Sequence, residues 1–135
     1  MMDKEYIEES DQLMPQFSKR GGIAPVVVQE METKQVLMLG WVNQIALQQS
    51  IETRLATFWS TSRNELWVKG KTSGNYMSIE KILIDCDQDA ILYLVNLKGK
   101  GICHTLRKDG TNRKACFYRE INLDSNELEF INGEQ

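Results

Sequence analysis

Several classes of protein are excluded by what this chain of 135 residues lacks. It has no apolar run near the roughly 20 residues that a membrane helix needs. Its first residues, MMDKEYIEESDQ, are acidic where a signal peptide would be basic and then apolar. With a net charge of −3, it also lacks the basic surplus typical of a nucleic-acid-binding protein. These absences predict a cytoplasmic protein that binds neither membranes nor nucleic acid.

Sulfur and imidazole are also scarce, with three cysteines, which cannot all pair within one chain, and one histidine. Cys103, His104 and Cys116 share one segment, GICHTLRKDGTNRKACFYR, and Cys86 precedes it. Three thiolates on Zn²⁺ would leave a fourth position for water, as in catalytic zinc sites. His104 could be a fourth ligand or could transfer the proton of that water. The alternative is that Cys86 and Cys116 are buried core residues and that His104 is an exposed loop residue.

Acidic residues concentrate in the short segment IDCDQD, which lies between two apolar runs. If this segment is extended, Asp85, Asp87 and Asp89 share one side and Cys86 points to the other. Two unit charges about 4 Å apart repel by about 4 kcal/mol at an effective dielectric constant of about 20. Crowded carboxylates therefore favour a hard cation such as Mg²⁺ or Mn²⁺. A solvated turn is the alternative, because aspartate is common in turns.

The pattern of apolar residues predicts an α+β fold, a β-rich single domain with one main short helix. The runs IAPVVVQEM and QVLMLGWV predict a hairpin, and Asn43 is the predicted N-cap of a helix that buries Ala46, Leu47 and Ile51. We expect residues 1–21 to form an N-terminal arm, 22–122 the domain, and 123–135 a tail with one edge strand and a frayed acidic end. Further strands are expected at LATFWS, ELWVKG, YMSIEKILID, AILYLVNL and ACFYREINL.

Hydroxyl groups, glycines and cations are interleaved between Phe58 and Tyr76. These groups suit a phosphate, and Trp59 and Trp67 could stack on a base. A plain polar hairpin, with the tryptophans packed in the core, is the alternative. Together with the metal candidates, the segment indicates an enzyme acting on a phosphorylated, base-containing small molecule. The candidate substrate-binding residues are Trp59, Ser60, Ser62, Arg63, Trp67, Lys69, Gly70, Thr72, Ser73 and Gly74.

Five segments resemble, in order, those of the phosphoribosyl-AMP cyclohydrolase family of histidine biosynthesis in its monofunctional form: VLMLGWVNQIAL, FWSTSRNELWVKGKTSGN, IDCDQDAILYLV, CHT and RKACFYR. The resemblance covers residues 22–120. It implies an intertwined homodimer that hydrolytically opens the adenine ring of 1-(5-phosphoribosyl)-AMP, and we expect His104 to transfer the proton. The metal ligands that it implies are Cys86, Cys103 and Cys116 for zinc, shared across the dimer, and Asp85, Asp87 and Asp89 for magnesium.

Two features depart from the family pattern. The link between Cys103 and Cys116 is about six residues longer than the usual CHTGRxSCF, with Ala115 in place of serine, and we expect a hairpin extension beside the active site. Met77 stands where the family usually has a glutamine able to hydrogen-bond substrate. These departures leave two alternatives: a diverged zinc hydrolase acting on another N1-modified purine-like nucleotide, and a non-catalytic nucleotide-binding dimer stapled by zinc.

Overall fold

A computed structural model describes residues 3–135 of the chain. The elements in this range are helix α1 (Lys4–Glu9), a 3₁₀ turn (Phe17–Arg20), strands β1 (Ala24–Glu30) and β2 (Val36–Val42), helix α2 (Gln44–Thr53), and strands β3 (Thr57–Ser60), β4 (Glu65–Val68), β5 (Met77–Ile84), β6 (Ile91–Leu97), β7 (Arg119–Ile121) and β8 (Leu128–Phe130). The predicted β-rich α+β domain with one main short helix is confirmed. No helix within residues 3–135 is long and apolar enough to cross a membrane.

The central sheet has four strands in the order β2-β1-β6-β5. Strand β1 pairs antiparallel with β2, which confirms the predicted hairpin, and parallel with β6. Strand β5 completes the sheet by pairing antiparallel with β6. On β1, Ala24, Val26 and Val28 are buried in the core, and the residues between them face outward. Because β6 starts beside the start of β1, the β5–β6 loop lies where the N-terminal arm enters the sheet.

Helix α2 begins where the sequence predicts. Asn43 Oδ1 accepts a 2.8 Å hydrogen bond from the Ala46 amide, and the helix ends at Arg54, which has a left-handed φ of 63°. Ala46 and Leu47 are buried, whereas Ile51 is only half-buried. The helix packs on β2 and β3 and so connects the central sheet to the β3–β4 hairpin.

A buried hydroxyl network joins α2 to the sheet. Tyr93 on β6 donates a 2.9 Å hydrogen bond to Ser50 Oγ, which also accepts a 3.0 Å bond from the Thr57 amide. All three residues are fully buried. Because burial disfavours the charged phenolate, it raises the pKa of Tyr93 to about 12. The network ties helix α2, strand β3 and the central sheet together through polar groups that have partners.

The long link between Cys103 and Cys116 forms the predicted hairpin extension. Leu106 and Asn112 form an isolated antiparallel bridge, and the turn between them contains Gly110, with a φ of 86°. The strand predicted at ACFYREINL is shorter than expected. Its first residues do not join a strand, since the Cys116 amide donates a 2.7 Å hydrogen bond to the Leu37 carbonyl instead.

The last residues of the chain fold onto this hairpin extension. Glu134 Oε1 lies 3.2 Å from Arg107 Nη2, and the Glu134 carbonyl accepts a 2.8 Å hydrogen bond from Arg113 Nε. The Arg113 guanidinium also stacks over the Tyr118 ring, 4.2 Å from its centroid. The prediction of a frayed acidic tail is therefore wrong, because the acidic end pairs with the basic hairpin.

Candidate active site and metal centres

The β3–β4 hairpin and the loop after it form an open cavity of about 390 Å³. The predicted substrate-binding residues that line it are Arg63, Trp67, Lys69, Gly70, Thr72 and Ser73. Those that do not line it are Trp59, Ser60, Ser62 and Gly74. The lining combines two hydroxyls with three cations, since Lys71 also contributes, and with one carboxylate, that of Glu65. These groups suit a phosphate.

The two tryptophans lie on opposite faces of the β3–β4 hairpin. Trp67 is paired across the strands with Phe58, and their ring centroids are 5.4 Å apart, whereas Trp59 is paired with Leu66 on the other face. Both tryptophans pack partly against the core, as the alternative interpretation predicted. Only Trp67 also lines the cavity, so only one of the two rings could stack on a base bound there.

Ser60, Ser62 and Arg63 meet at the turn of the hairpin. Ser60 Oγ accepts hydrogen bonds from the Arg63 amide at 3.3 Å and from Arg63 Nε at 3.4 Å, and it lies 3.4 Å from Ser62 Oγ. Arg63 Nε is also 3.5 Å from a carboxylate oxygen of Glu65. The two serines therefore contact the cavity-lining arginine without lining the cavity themselves.

Gly70 determines the path of the loop after β4. Its φ of 94° is in the region that side chains rarely adopt, and a Cβ atom there would collide with the backbone of Asn75 and Tyr76. Gly74 has a similar φ of 82°, but a Cβ atom there would meet open space. The close approach at Gly70 brings the two ends of the KGKTSGN segment together beside the cavity.

Cys103 and Cys116 form a thiol pair next to this cavity. Partial desolvation of the sulfur, and then the adjacent Cys103, raises the pKa of the Cys116 thiol to about 11, although the residue as a whole is exposed. Burial also opposes ionisation of Cys103, but hydrogen bonds from Thr105, whose Oγ1 lies 2.9 Å from Sγ, leave its pKa lowered. Lys69, whose own pKa is lowered by burial, favours both thiolates through its charge. Ionisation is thus favoured at Cys103 and opposed at Cys116, and a cation bound between the two sulfurs would favour both thiolates.

The other two predicted zinc-site residues, Cys86 and His104, are both exposed. His104 follows Cys103 directly and is exposed, and Cys86 is exposed in the turn after β5. The alternative that Cys86 and Cys116 are buried core residues is therefore wrong, since both are exposed, whereas His104 is exposed as that alternative predicted. Within residues 3–135, no group of three metal-binding side chains includes a cysteine or the histidine. One chain by itself brings two of the three predicted zinc ligands together.

The three aspartates are brought together, but the predicted extended geometry is wrong. Their carboxylate oxygens all lie within 4.8 Å of one another. The segment is a turn: Gln88 has a left-handed φ of 56°, and Asp85 Oδ1 accepts hydrogen bonds from the amides of Asp89 at 2.9 Å and Ala90 at 3.1 Å. The left-handed residue reverses the chain, so proximity comes from the turn and not from strand alternation.

The electrostatics of this cluster indicate that it accepts a cation. Lys19 Nζ lies 3.2 Å from Asp87 Oδ2 and 3.1 Å from Asp89 Oδ2. Burial opposes ionisation of Asp89, but hydrogen bonds, first from Lys19, leave its pKa lowered. The pKa of Asp85 is raised by burial and by its acidic neighbours. Two of the three carboxylates already pair with Lys19, and the cluster as a whole fits Mg²⁺, which prefers oxygen ligands.

Met77, the departure expected to touch substrate, lies in the core. Its side chain is fully buried at the start of β5 and packs in the main apolar cluster. It does not line the cavity beside Lys69 and Thr72. The methionine that replaces the usual glutamine therefore packs in the core of this chain.

The cavity is lined by cations and hydroxyls and lies next to a thiol pair, and the same chain carries a carboxylate cluster; these groups suit a hydrolase of phosphorylated substrates. The family model for phosphoribosyl-AMP cyclohydrolase matches residues 38–118. A phosphoribosyl-AMP cyclohydrolase of Hyphomonas neptunium is 47% identical over 114 residues, which cover 84% of this chain and 81% of the relative. One of Nitrosopumilus maritimus is 46% identical over 78% of this chain and 91% of the relative. This chain belongs to the phosphoribosyl-AMP cyclohydrolase family, hydrolases of histidine biosynthesis.

Several residues that contact these sites were not predicted, among them Glu65, Lys19, Arg20, Gln88 and Thr105. Thr105 is the last residue of the CHT segment. A hydroxyl two positions after Cys103 could have been predicted to hydrogen-bond the thiol. Lys19 and Arg20 form a basic pair before two glycines, but nothing local links them to aspartates about 70 positions away.

Proposed function

We propose that this chain catalyses the reaction for which its family is named: hydrolytic opening of the adenine ring of 1-(5-phosphoribosyl)-AMP to the formimino-carboxamide ribotide. Water adds to C6, the bond between N1 and C6 breaks, and N1 takes up a proton. The observation that carries this proposal is the position of Lys69. It lines the cavity that contains Thr72 and Ser73, and it lies close enough to Cys103 and Cys116 for its positive charge to favour their thiolates. One site thus combines an anion-binding wall with metal-binding thiols.

The zinc ligands in this proposal are Cys86, Cys103 and Cys116. Cys103 and Cys116 supply two thiolates, and the exposed Cys86 of a second copy of the chain supplies the third. This set leaves one position of a tetrahedral site for water. When bound there, zinc supplies Lewis-acid activation of that water. The magnesium ligands are Asp85, Asp87 and Asp89, where the ion would offset the charge of substrate phosphates.

The proposed homodimer is supported by an apolar row across the outer face of the sheet. Leu39, Val27, Leu92 and Leu83 occupy paired positions on the four strands, so their side chains share one face. Leu39 and Leu83 are 49% and 45% exposed. Val27, Leu83 and Leu92 also line a groove of about 450 Å³ that reaches Asp85, the neighbour of Cys86. A second copy on this face would cover the row and complete the zinc site.

The chain's own polar groups position the substrate in this scheme. Lys69, Lys71 and the hydroxyls of Thr72 and Ser73 receive a phosphate, and Trp67 provides the one ring of the cavity on which a base can stack. His104 is exposed and follows Cys103 directly, which supports the proposal that it moves a proton between the water and N1. The free thiols suit a reducing compartment, so we place the enzyme in the cytoplasm.

The test is turnover of 1-(5-phosphoribosyl)-AMP by purified protein of measured zinc content. Wild type should convert the substrate, and Cys103→Ser should abolish conversion and lower the zinc content. Ser125→Ala is the matched control, because Ser125 lies in the exposed turn between β7 and β8. Absence of conversion by folded, zinc-replete wild type would overturn the proposal.

A further inference from the structure

Gln88 holds the N-terminal arm against the turn that carries Asp85, Asp87 and Asp89. Gln88 Nε2 donates hydrogen bonds to the carbonyls of Ile7 at 3.0 Å and Gln12 at 3.1 Å, and Oε1 accepts a 2.7 Å bond from the Met14 amide. The Gln88 carbonyl accepts a further 2.7 Å bond from the Gln16 amide. Gln88 is only 5% exposed, so these bonds are largely shielded from water. The turn that carries the aspartates therefore also fixes the arm.

These Gln88 hydrogen bonds bring two cations of the arm to the carboxylates. Lys19 Nζ contacts both Asp87 Oδ2 and Asp89 Oδ2, at 3.2 and 3.1 Å. Arg20 Nη1 donates a 3.2 Å hydrogen bond to the Asp89 carbonyl and lies 3.5 Å from its carboxylate. Lys19 contacts two of the three carboxylates, whereas Arg20 contacts only that of Asp89. Its ammonium thus occupies the position from which a small cation would contact the same oxygens.

A divalent ion on these oxygens would repel the Lys19 ammonium, so binding of the ion disfavours the two lysine contacts. The Lys19 side chain is 44% exposed, so it can leave the cluster for solvent without disturbing the core. The Gln88 bonds do not involve Lys19 and would keep the arm, and hence the lysine, close to the cluster after displacement. Such tethering gives the ammonium a high effective concentration at the carboxylates.

We propose that Lys19 is a tethered competitor of the divalent cation at Asp85, Asp87 and Asp89. It offsets part of the charge of the carboxylates when the ion is absent, and the ion binds at the expense of the lysine contacts. Lys19 therefore sets the cation concentration at which the site fills. This inference rests on the proposed function only for the role of the ion in the reaction, because the competition itself concerns binding.

The experiment measures Mn²⁺ affinity of the zinc-loaded protein by electron paramagnetic resonance, with Mn²⁺ as the probe. Lys19→Met should bind Mn²⁺ roughly three- to tenfold more tightly than wild type, since one exposed and one partly buried ion pair no longer compete. Lys19→Arg, which keeps the charge, should stay near wild type. Lys4→Met is the matched control, because it removes one lysine of the same arm that does not contact the cluster, and it reports the effect of net charge alone.

Equal affinities of Lys19→Met and Lys4→Met would overturn the inference, and so would absence of Mn²⁺ binding by every variant. Failure of the proposed function is distinguishable, because it appears as absent turnover by wild type, measured separately. A gain in Mn²⁺ affinity confined to Lys19→Met would support the competition even then.

Discussion

The Cys103 sulfur lies 2.9 Å from the Thr105 hydroxyl oxygen, within the thiol pair proposed to bind zinc. A hydroxyl that donates to a thiolate stabilises its charge and orients it toward a metal. Thr105→Val keeps the shape of the side chain and removes the donor. We expect zinc affinity, measured by competition with a chromogenic chelator, to fall about tenfold.

Thr105→Ser restores the donor and should restore most of the zinc affinity. Thr111→Val is the matched control, because the Thr111 hydroxyl donates to Asp109 in the hairpin extension and not to a thiol. Zinc affinity of Thr105→Val equal to that of the control would contradict this role of the hydroxyl.

Gly70 and Gly74 form a matched pair for testing the loop beside the cavity. Gly70→Ala should destabilise the fold by about 2–4 kcal/mol, since it combines an unfavourable φ with a collision against the backbone of Asn75 and Tyr76. Gly74→Ala, which meets open space, should lose only about 1 kcal/mol. The measurement is urea unfolding of both variants. Equal losses would mean that the loop relaxes around the added methyl group.

Tyr93 should make stability fall at alkaline pH. Its pKa is about 12 in the folded chain, against an ordinary value of 10.0, so the unfolded state releases the proton first. The stabilisation is complete below pH 10 and is lost as the pH rises from 10 to 12, by about 2–3 kcal/mol in total. Comparing urea unfolding of wild type and Tyr93→Phe across this range isolates the contribution. Parallel pH profiles of the two proteins would contradict it.

Met77→Gln restores the residue usual in the family and tests whether this position reaches the substrate. Because Met77 is fully buried in an apolar cluster, the amide should lack hydrogen-bond partners and destabilise the fold by about 1–3 kcal/mol. The KM should stay unchanged, since Met77 does not line the cavity. Unfolding and steady-state kinetics on the same preparation measure both. A lower KM without loss of stability would place position 77 in the substrate site.

Local signals predicted much of the fold. Asn43 marked the start of α2 because a side-chain cap acts within three residues, and runs rich in β-branched and large apolar residues marked β1 and β2. The parallel pairing of β1 with β6 was not predicted, because it joins residues as distant as Val26 and Ile91 and leaves no local pattern. The tail was mispredicted for the same reason, since Glu134 is held by Arg107 and Arg113, which precede it by more than 20 positions.

In the candidate sites too, contacts between near neighbours in the chain were predicted and contacts between distant residues were not. Strand alternation grouped the three aspartates, but the left-handed Gln88 produces that grouping, and a single sequence does not reveal its conformation. The cations and hydroxyls around Gly70 were correctly expected to lie together because they are near neighbours in the chain. The arm that brings Lys19 to the aspartates was missed, because it docks through Gln88, a residue without an evident role in the sequence.

The zinc site shared between two copies of the chain is the central claim, and subunit mixing tests it most directly. Cys86→Ser and Cys103→Ser should each be inactive as homodimers. After the two are mixed, unfolded and refolded together, half of the dimers should be mixed, and each should contain one intact site, so activity should return to about a quarter of wild type. If all three cysteines act within one chain, no pairing restores a site, and the mixture should stay inactive. Recovery near a quarter supports the shared site, and absence of recovery from refolded dimers contradicts it.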